Sequence, residues 1–317
     1  MNRENKIPLL VIAGPTASGK SDLALRVAEK FNGEIVSADS AQIYRFLDIG
    51  TAKPSKEEQE RVKHHLIDII DPNEQFTAAD YQKEARAAIN EINRNEKLPI
   101  ICGGTGLYIK SLLENYKFSK EGRDEELRKE LKILAENKGG AELHKKLEKV
   151  DKISAEKIHP NDINRMIRAL EVYYKEGTPL SETNKSLIKE PNEYNLLFIA
   201  LTMEREKLYH RINERTNLML SEGLIDEVRS LLENYSPVAP GLQVIGYRQC
   251  VKYLNSEITY EELSELIKKE TRNYAKRQYT WFRREKKILW IDCLTESKSL
   301  IEIITGLIKE YKLIYRI

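Results

Sequence analysis

The stretch Gly14-Pro15-Thr16-Ala17-Ser18-Gly19-Lys20-Ser21 satisfies the pattern GxxxxGK[ST] at every fixed position, and nothing else in the chain narrows its fold as much. Such a loop works only between a buried strand and the first turn of a helix. Its glycines let the backbone curl so that N–H groups point inward, and the helix adds the positive end of its dipole. The flanks supply both elements. Residues 7–13 are a short apolar run, as in a strand covered on both faces, and residues 22–31 carry Leu23, Ala24, Val27, Ala28 and Phe31 at helical spacing. All eight loop residues form the expected phosphate cradle, with Lys20 reaching terminal oxygens and the Ser21 hydroxyl ligating Mg²⁺. A cradle of this kind accepts a nucleotide or a simple diphosphate ester, so it does not name the substrate.

The rest of the chain repeats the alternation. Short apolar runs at 34–38, 98–102, 196–201 and 288–291 are separated by helical patterns, notably 78–93 with Ala85, Ala88, Ile89 and Ile92 on one side. That predicts an α/β fold, a P-loop-type doubly wound parallel sheet. Between 119 and 189 the chain turns charge-rich without a convincing strand, with stripes at Leu127, Leu131, Leu134 and at Ile163, Ile167, Leu170, Tyr174. We read an inserted helical domain over 119–190, flanked by the two parts of the core at 1–118 and 191–317. Helices over 205–220 and 224–234, and a long basic one over 260–286, belong to the second part.

Lys plus Arg number 52 against 50 Asp plus Glu, a formal charge of +2, so any nucleic-acid binding must come from where cations sit. The three cysteines, Cys102, Cys250 and Cys293, form no CxxC pair, which disfavours a zinc site or a disulfide framework and points to a reducing compartment. No apolar run approaches the roughly 18–20 residues that span a bilayer, and no signal peptide is read at the N-terminus. A cytoplasmic location without membrane contact is expected, and nothing demands more than a monomer.

Ligands of an open parallel sheet sit beyond the carboxyl ends of its strands. Asp39, Ser40, Ala41 and Gln42 follow the second strand and Gly103 to Gly106 the third, so Asp39 and Thr105 should face the cradle. Asp39 taken alone reads as a general base, an outer magnesium partner or, as often as the other two together, a helix cap. His64, His65 and Asp68 lack the spaced third ligand of a metal site. Residues 271–287, TRNYAKRQYTWFRREKK, hold seven Lys or Arg, one acid and four aromatics. On a helix Arg272, Lys276, Thr280, Arg283 and Lys287 share one face, opposite Tyr274, Trp281 and Phe282. This is either a solvated amphipathic helix or a phosphate-backbone track. A second basic patch, Arg165 with Arg168, lies in the insertion, and two such elements suggest a folded RNA gripped from two sides.

Nine segments in order, GPTASGKS, DSAQIY, DIGTAKP, HHLID, GGTGLY, RMIRALE, RINERTNLML, VIGYRQ and RNYAKRQYTWFR, resemble the tRNA dimethylallyltransferase (tRNA isopentenyltransferase) family. The resemblance spans residues 14–283 and, since the chain ends soon after the basic helix, suggests the bacterial type. It implies transfer of a dimethylallyl group from dimethylallyl diphosphate to the exocyclic amine of the adenosine 3′ of the anticodon in tRNA, with Mg²⁺ as cofactor. Carried over by motif, Asp39 would be the base, and Thr16 and Arg215 would assist the departing diphosphate. The tRNA anticodon stem-loop would meet Asp39, Ser40, Ala41, Gln42 and Thr105; Asn164, Arg165, Met166, Ile167 and Arg168; Gly246 and Arg248; and Arg272, Lys276, Arg277 and Arg283. Two positions depart from the family's habit: Thr216 stands where an aromatic is common, and Asn164 where glutamine is. The rival readings are a small-molecule kinase, a transferase acting on free adenine nucleotides, and an RNA-binding nucleotide switch.

Overall fold

The computed structural model describes residues 6–114, 116, 118, 124–183, 193–293 and 297–313. Its chain divides into two compact units, 1–113 with 192–317 and 114–191. Of the expected domain edges, residues 119 and 190–191 lie outside the described residues.

In the larger unit, β1 (Ile7–Ala13) runs into the phosphate loop and α1 (Lys20–Lys30), followed by β2 (Gly33–Ser37), α2 (Lys56–Arg61), β3 (His64–His65), α3 (Ala78–Arg94), β4 (Leu98–Gly103) and α4 (Gly106–Leu113). The smaller unit holds α5 (Glu125–Lys138), α6 (Gly140–Val150), α7 (Lys152–Lys157), α8 (Ile163–Glu176) and α9 (Leu180–Thr183). The chain then returns with β5 (Tyr194–Thr202), α10 (Arg205–Ser221), α11 (Leu224–Leu232), α12 (Tyr247–Leu254), α13 (Tyr260–Phe282), β6 (Leu289–Asp292) and α14 (Ser297–Glu310).

The strands form one parallel sheet in the order β3-β2-β4-β1-β5-β6. Because side chains alternate along a strand, β1 feeds both faces. Leu9, Val11 and Ala13 join α3 and α4 through Ala85, Ile89 and Ile109, while Leu10 and Ile12 join α1 and α14 through Leu23, Val27 and Ile304. Every residue of β4 is buried, as a strand covered on both sides requires. The expected alternation of strand and helix is borne out. The two-residue β3 is too short to leave a hydrophobic period in the sequence, and α4 and α12 also escape that reading.

Helix ends follow local chemistry. The Thr77 hydroxyl accepts from the Asp80 N–H while Asp80 accepts from the Thr77 N–H, and Thr259 and Glu262 do the same for α13. Helix α13 stops at Phe282, so Lys287 does not continue the basic face expected along 260–286. A third core packs Ile43, Leu47, Leu224, Tyr247 and Ile267, joining the loop after β2 to α11, α12 and α13.

The smaller unit closes around Leu131, Leu143, Leu147, Met166, Ile167 and Leu170. Glu171 there is a fully buried charge, which takes two hydrogen bonds from Arg128 (2.7 and 2.8 Å), one from Arg168 (2.7 Å) and one from the Asp124 N–H (3.0 Å). Burial works to raise its pKa, but these donors outweigh it and hold the carboxyl at about 2 against an ordinary 4.5. A carboxylate depressed in the folded state contributes stability that is complete above the unfolded value and lost as pH falls through the folded one. At pH 7, Glu171→Gln should therefore cost on the order of 2 kcal/mol, allowing for the partial exposure of both arginines. The gap from wild type should narrow between pH 4.5 and about 2, read from urea-dependent amide exchange of α5 and α8 in the full chain. A gap that ignores pH would show that the carboxylate's charge is not its source.

Candidate active site

The phosphate loop, Asp39 and the 103–106 turn follow β1, β2 and β4, three neighbouring strands of the sheet, and so meet at one edge. The Thr105 N–H donates to the Ala38 carbonyl (3.0 Å), and its hydroxyl accepts from the Ser40 N–H (3.1 Å). Asp39 Oδ1 accepts from the Ala41 N–H (2.9 Å), so the side chain is oriented by its own turn. A Cβ at Gly104 would stand 2.0 Å from Gln278 Nε2, so glycine here leaves room for that amide.

The loop itself departs from the expected cradle in a specific way. The Thr16 N–H donates to Gln278 Oε1 (2.9 Å) and the Ser18 N–H to the Pro15 carbonyl (3.3 Å), so neither amide points at an anion. Ser18 is buried. Thr16 instead presents its hydroxyl, whose oxygen accepts from Arg215 (3.2 Å). A guanidinium only donates, which leaves the hydroxyl proton available for an acceptor in the cleft. Gly19 is left-handed, with φ of 84°, where the loop passes into α1. Lys20 Nζ reaches back to the Pro15 carbonyl (3.2 Å). Burial pulls the Lys20 pKa below its ordinary value, with Cys102 and Asp39 acting against it and Arg215 adding to it.

Two cavities share Thr16, Ala17, Lys20, Asp39, Thr51 and Arg215 as walls. One, of about 460 Å³, adds Ser21, Cys102, His64 and Arg211, and the other, of about 300 Å³, adds Met219, Ile245, Tyr274 and Arg277. Arg215 is common to both, fixed by Thr16 and by the Thr51 carbonyl (3.4 Å), with burial lowering its pKa and Asp39 opposing. The cleft is thus cationic toward the loop and part apolar, part aromatic beyond Arg215. Such a site can hold a polyphosphate at one end and a flat, uncharged group at the other.

Magnesium would find oxygen donors here, the Ser21 hydroxyl and the Asp39 carboxylate lining one cavity, a set that suits a hard cation. No group of three His, Cys, Asp or Glu among the described residues could hold a metal, so water and phosphate oxygens would complete its shell.

Other motif residues serve the frame. Lys53, nearly buried, donates to Asp48 (2.6 Å), Asp68 (2.5 Å) and the Tyr44 carbonyl (2.9 Å). His65 pairs with Glu34 at 2.6 Å, and His64, whose pKa burial lowers, contacts the Val62 carbonyl. Gln42 is buried at the wall of the 460 Å³ cavity and donates to the Thr51 and Ala52 carbonyls, holding the loop that carries Thr51.

The residues expected to meet RNA divide. Ser40, Ala41, Gly246, Arg248 and Arg277 line the 300 Å³ cavity with Asp39. Lys276 and Arg283 line a separate hollow on α13 with Arg205 and Tyr209. Arg248 is paired with Glu270, and Arg272 donates to Asn213 (2.7 Å). In the smaller unit Asn164 and Arg165 are exposed, but Met166 and Ile167 are buried in its core, so their side chains are packing residues. Thr216, in place of an aromatic, is buried and returns its hydroxyl to the Ile212 carbonyl (2.9 Å). Sequence reasoning missed Gln278. Its signal was a polar residue four positions from both Tyr274 and Phe282 on the apolar side of α13.

Fold and site together define a P-loop α/β enzyme in which an anion cradle, an acid and a second, flat-walled cavity form one cleft. A family model described as IPP transferase matches residues 42–285. The tRNA dimethylallyltransferase of Carboxydothermus hydrogenoformans is 49% identical over 293 residues, covering 92% of this chain and 94% of that protein. That of Geobacter metallireducens is 46% identical, covering 96% and 99%. Among solved structures, the tRNA isopentenylpyrophosphate transferase of Bacillus halodurans matches with a TM-score of 0.71 at 40% identity, over 97% of this chain and 98% of that one. A eukaryotic dimethylallyltransferase acting on tRNA gives 0.81 at 31% identity, over 96% and 80%. The chain belongs to the IPP transferase family of tRNA-modifying transferases.

Anion binding should depend on pH through Lys20. Its amine must be charged to hold a diphosphate, and its pKa lies below 10.5 in the free protein. Affinity for inorganic diphosphate, measured by calorimetry, should be full at neutral pH and begin to fall before 10.5 is reached. Lys20→Met should bind more weakly at neutral pH and lack this alkaline fall.

Proposed function

We propose that the chain transfers a dimethylallyl group from dimethylallyl diphosphate to the exocyclic amine of the adenosine immediately 3′ of the anticodon in tRNA. The observation that carries this reading is that Asp39, Thr16 and Arg215 meet in one cleft, between an anion cradle and a cavity lined by Tyr274 and Arg277. A nucleotide hydrolase or switch, whose acceptor is water, would need the cradle but not the second cavity.

The diphosphate lies against Lys20, the Thr16 hydroxyl and Arg215. The adenine enters from the Tyr274 side. A base stacked within an anticodon loop cannot reach so recessed an acid, so the nucleotide is flipped out of the loop. The amine nitrogen forms a bond to the allylic carbon as that carbon's bond to the diphosphate oxygen breaks. Asp39 takes the proton the nitrogen loses, which matters because an amine conjugated to a purine is a poor nucleophile. Negative charge grows on the departing oxygen, where the Thr16 proton, Arg215 and Lys20 stabilise it. Ser21 would hold a magnesium ion, which when bound neutralises diphosphate charge.

We take one chain as the acting unit, since every group named lies within it, and the cytoplasm as its place, where free Cys102, Cys250 and Cys293 are ordinary. No helix among the described residues is long and apolar enough to cross a membrane.

Purified protein incubated with Mg²⁺, dimethylallyl diphosphate and unmodified tRNA should yield adenosine heavier by one dimethylallyl group, detected by mass spectrometry of digested nucleosides. Asp39→Asn should lower kcat roughly a hundredfold to ten-thousandfold while leaving inorganic diphosphate binding in place. Phosphoryl transfer or hydrolysis with ATP, and no alkylated adenosine with the allylic donor, would replace this reading with a nucleotide site.

A further inference from the structure

Gln278 is the only residue of α13 whose side chain bridges two loops of the cleft among the described hydrogen bonds. It is 4% exposed, and both ends of its amide are engaged: its carbonyl accepts the Thr16 N–H (2.9 Å) and its amide donates to the Gly104 carbonyl (3.1 Å). The fit is close from the other side as well, because any side chain at Gly104 would displace the amide nitrogen.

The same helix presents Tyr274 and Arg277 to the cavity, with Arg277 over the Tyr274 ring at 5.7 Å, and exposes Lys276, with exposed Arg283 at its C-terminal cap. Tyr274 is drawn into the site, its phenol pushed up to about 12 by burial and by Asp39, against hydrogen bonds from Thr105 and Gln278. Helix α13 is therefore rigidly tied to the phosphate loop at one point while offering cations and an aromatic ring to whatever enters beside it. Ala275, wholly buried against Leu208 and Ile212, fixes the helix to α10, which carries Arg215. Any displacement of α13 must then move Thr16 through Gln278 and Arg215 through α10, and those two residues hold each other.

We propose that Gln278 is a positioning residue that couples RNA docking on α13 to anion binding in the phosphate loop. By taking the Thr16 N–H it turns that residue's hydroxyl, rather than its amide, toward the leaving oxygen. By sitting on the RNA-facing helix it makes the loop's geometry depend on what α13 contacts. The coupling is reciprocal: a bound diphosphate must favour RNA as much as RNA favours the diphosphate. The inference rests on the reading that RNA and an allylic diphosphate share this cleft.

Calorimetry of inorganic diphosphate binding in Mg²⁺ buffer, with and without a saturating anticodon stem-loop RNA, tests it. Wild type should bind diphosphate roughly tenfold more tightly with RNA present. Gln278→Met, which keeps the length and removes both hydrogen bonds, should bring that ratio close to one, with RNA affinity in the absence of diphosphate unchanged. In turnover it should raise the KM for the allylic diphosphate and lower kcat, leaving the KM for RNA alone. Gln278→Glu, which can still accept from Thr16 but only repels the Gly104 carbonyl, should keep part of the ratio. Gly104→Ala, which leaves residue 278 unchanged and displaces its amide, should reproduce the methionine variant. A ratio equal in wild type and in whichever of these variants folds, or no ratio in wild type, overturns the coupling. Failure of wild type to alkylate adenosine would instead remove the reading on which it rests.

Discussion

Thr16 is held from two directions, and the cleft takes its form from that. Its N–H belongs to Gln278 on α13 and its hydroxyl oxygen to Arg215 on α10, so one residue of the phosphate loop is locked to two helices far along the chain. In a phosphate loop built for a nucleotide, each amide is a donor for the ligand. Here the Thr16 and Ser18 amides have been withdrawn, and the Thr16 hydroxyl is offered in place of its own amide. The exchange suits a reaction in which the terminal phosphates are not attacked but depart as a unit, because the demand is for a proton donor near the bond that breaks.

The division of labour across Arg215 follows from electrostatics. A diphosphate and the carboxylate that must accept a proton would repel each other if nothing stood between them. Arg215 borders both cavities as Asp39 does, fixed by Thr16 and the Thr51 carbonyl, so a permanent cation sits beside both anionic functions and offsets their repulsion. The Thr51 carbonyl is itself held by Gln42, and its loop by Lys53 between Asp48 and Asp68. The motif DIGTAKP thus acts at one remove, as the mount for the arginine.

How much of this the residues announced depends on the range of each interaction. The phosphate loop, Asp39 and the sheet were legible because each is local: a glycine pattern, an acid after a strand, a run of apolar residues. Met166 and Ile167 were misread because a motif treats its positions alike, whereas a helix turns two of every few residues inward to a core. Arg272 read as a free cation on a helical wheel, which cannot see Asn213 opposite, and the motif that carried Arg248 could not show its pairing with Glu270. Gln278 was hidden for the same reason, since its partners lie 262 and 174 residues away. Local order is written in spacing, while tertiary hydrogen bonds appear only once the helices are set side by side.

Net charge tells the same story for α13. A total of +2 says nothing of RNA, but the helix sorts its charges along its length. Glu261 and Glu262 fall in its first turn, where a helix dipole favours acids, with Glu265 just after them, while Lys276 and Arg277 lie in its second half, short of the last turn. The acids stabilise the helix start, and the cations gather in the half where Gln278 meets the phosphate loop. The acids at the far end leave the sum near neutral, so the protein avoids the indiscriminate attraction of a polycation while still presenting a cationic surface where a phosphate backbone would run. Helix stability, solubility and substrate attraction are therefore met by one distribution of side chains, and moving the cations along α13 would set these three demands against one another.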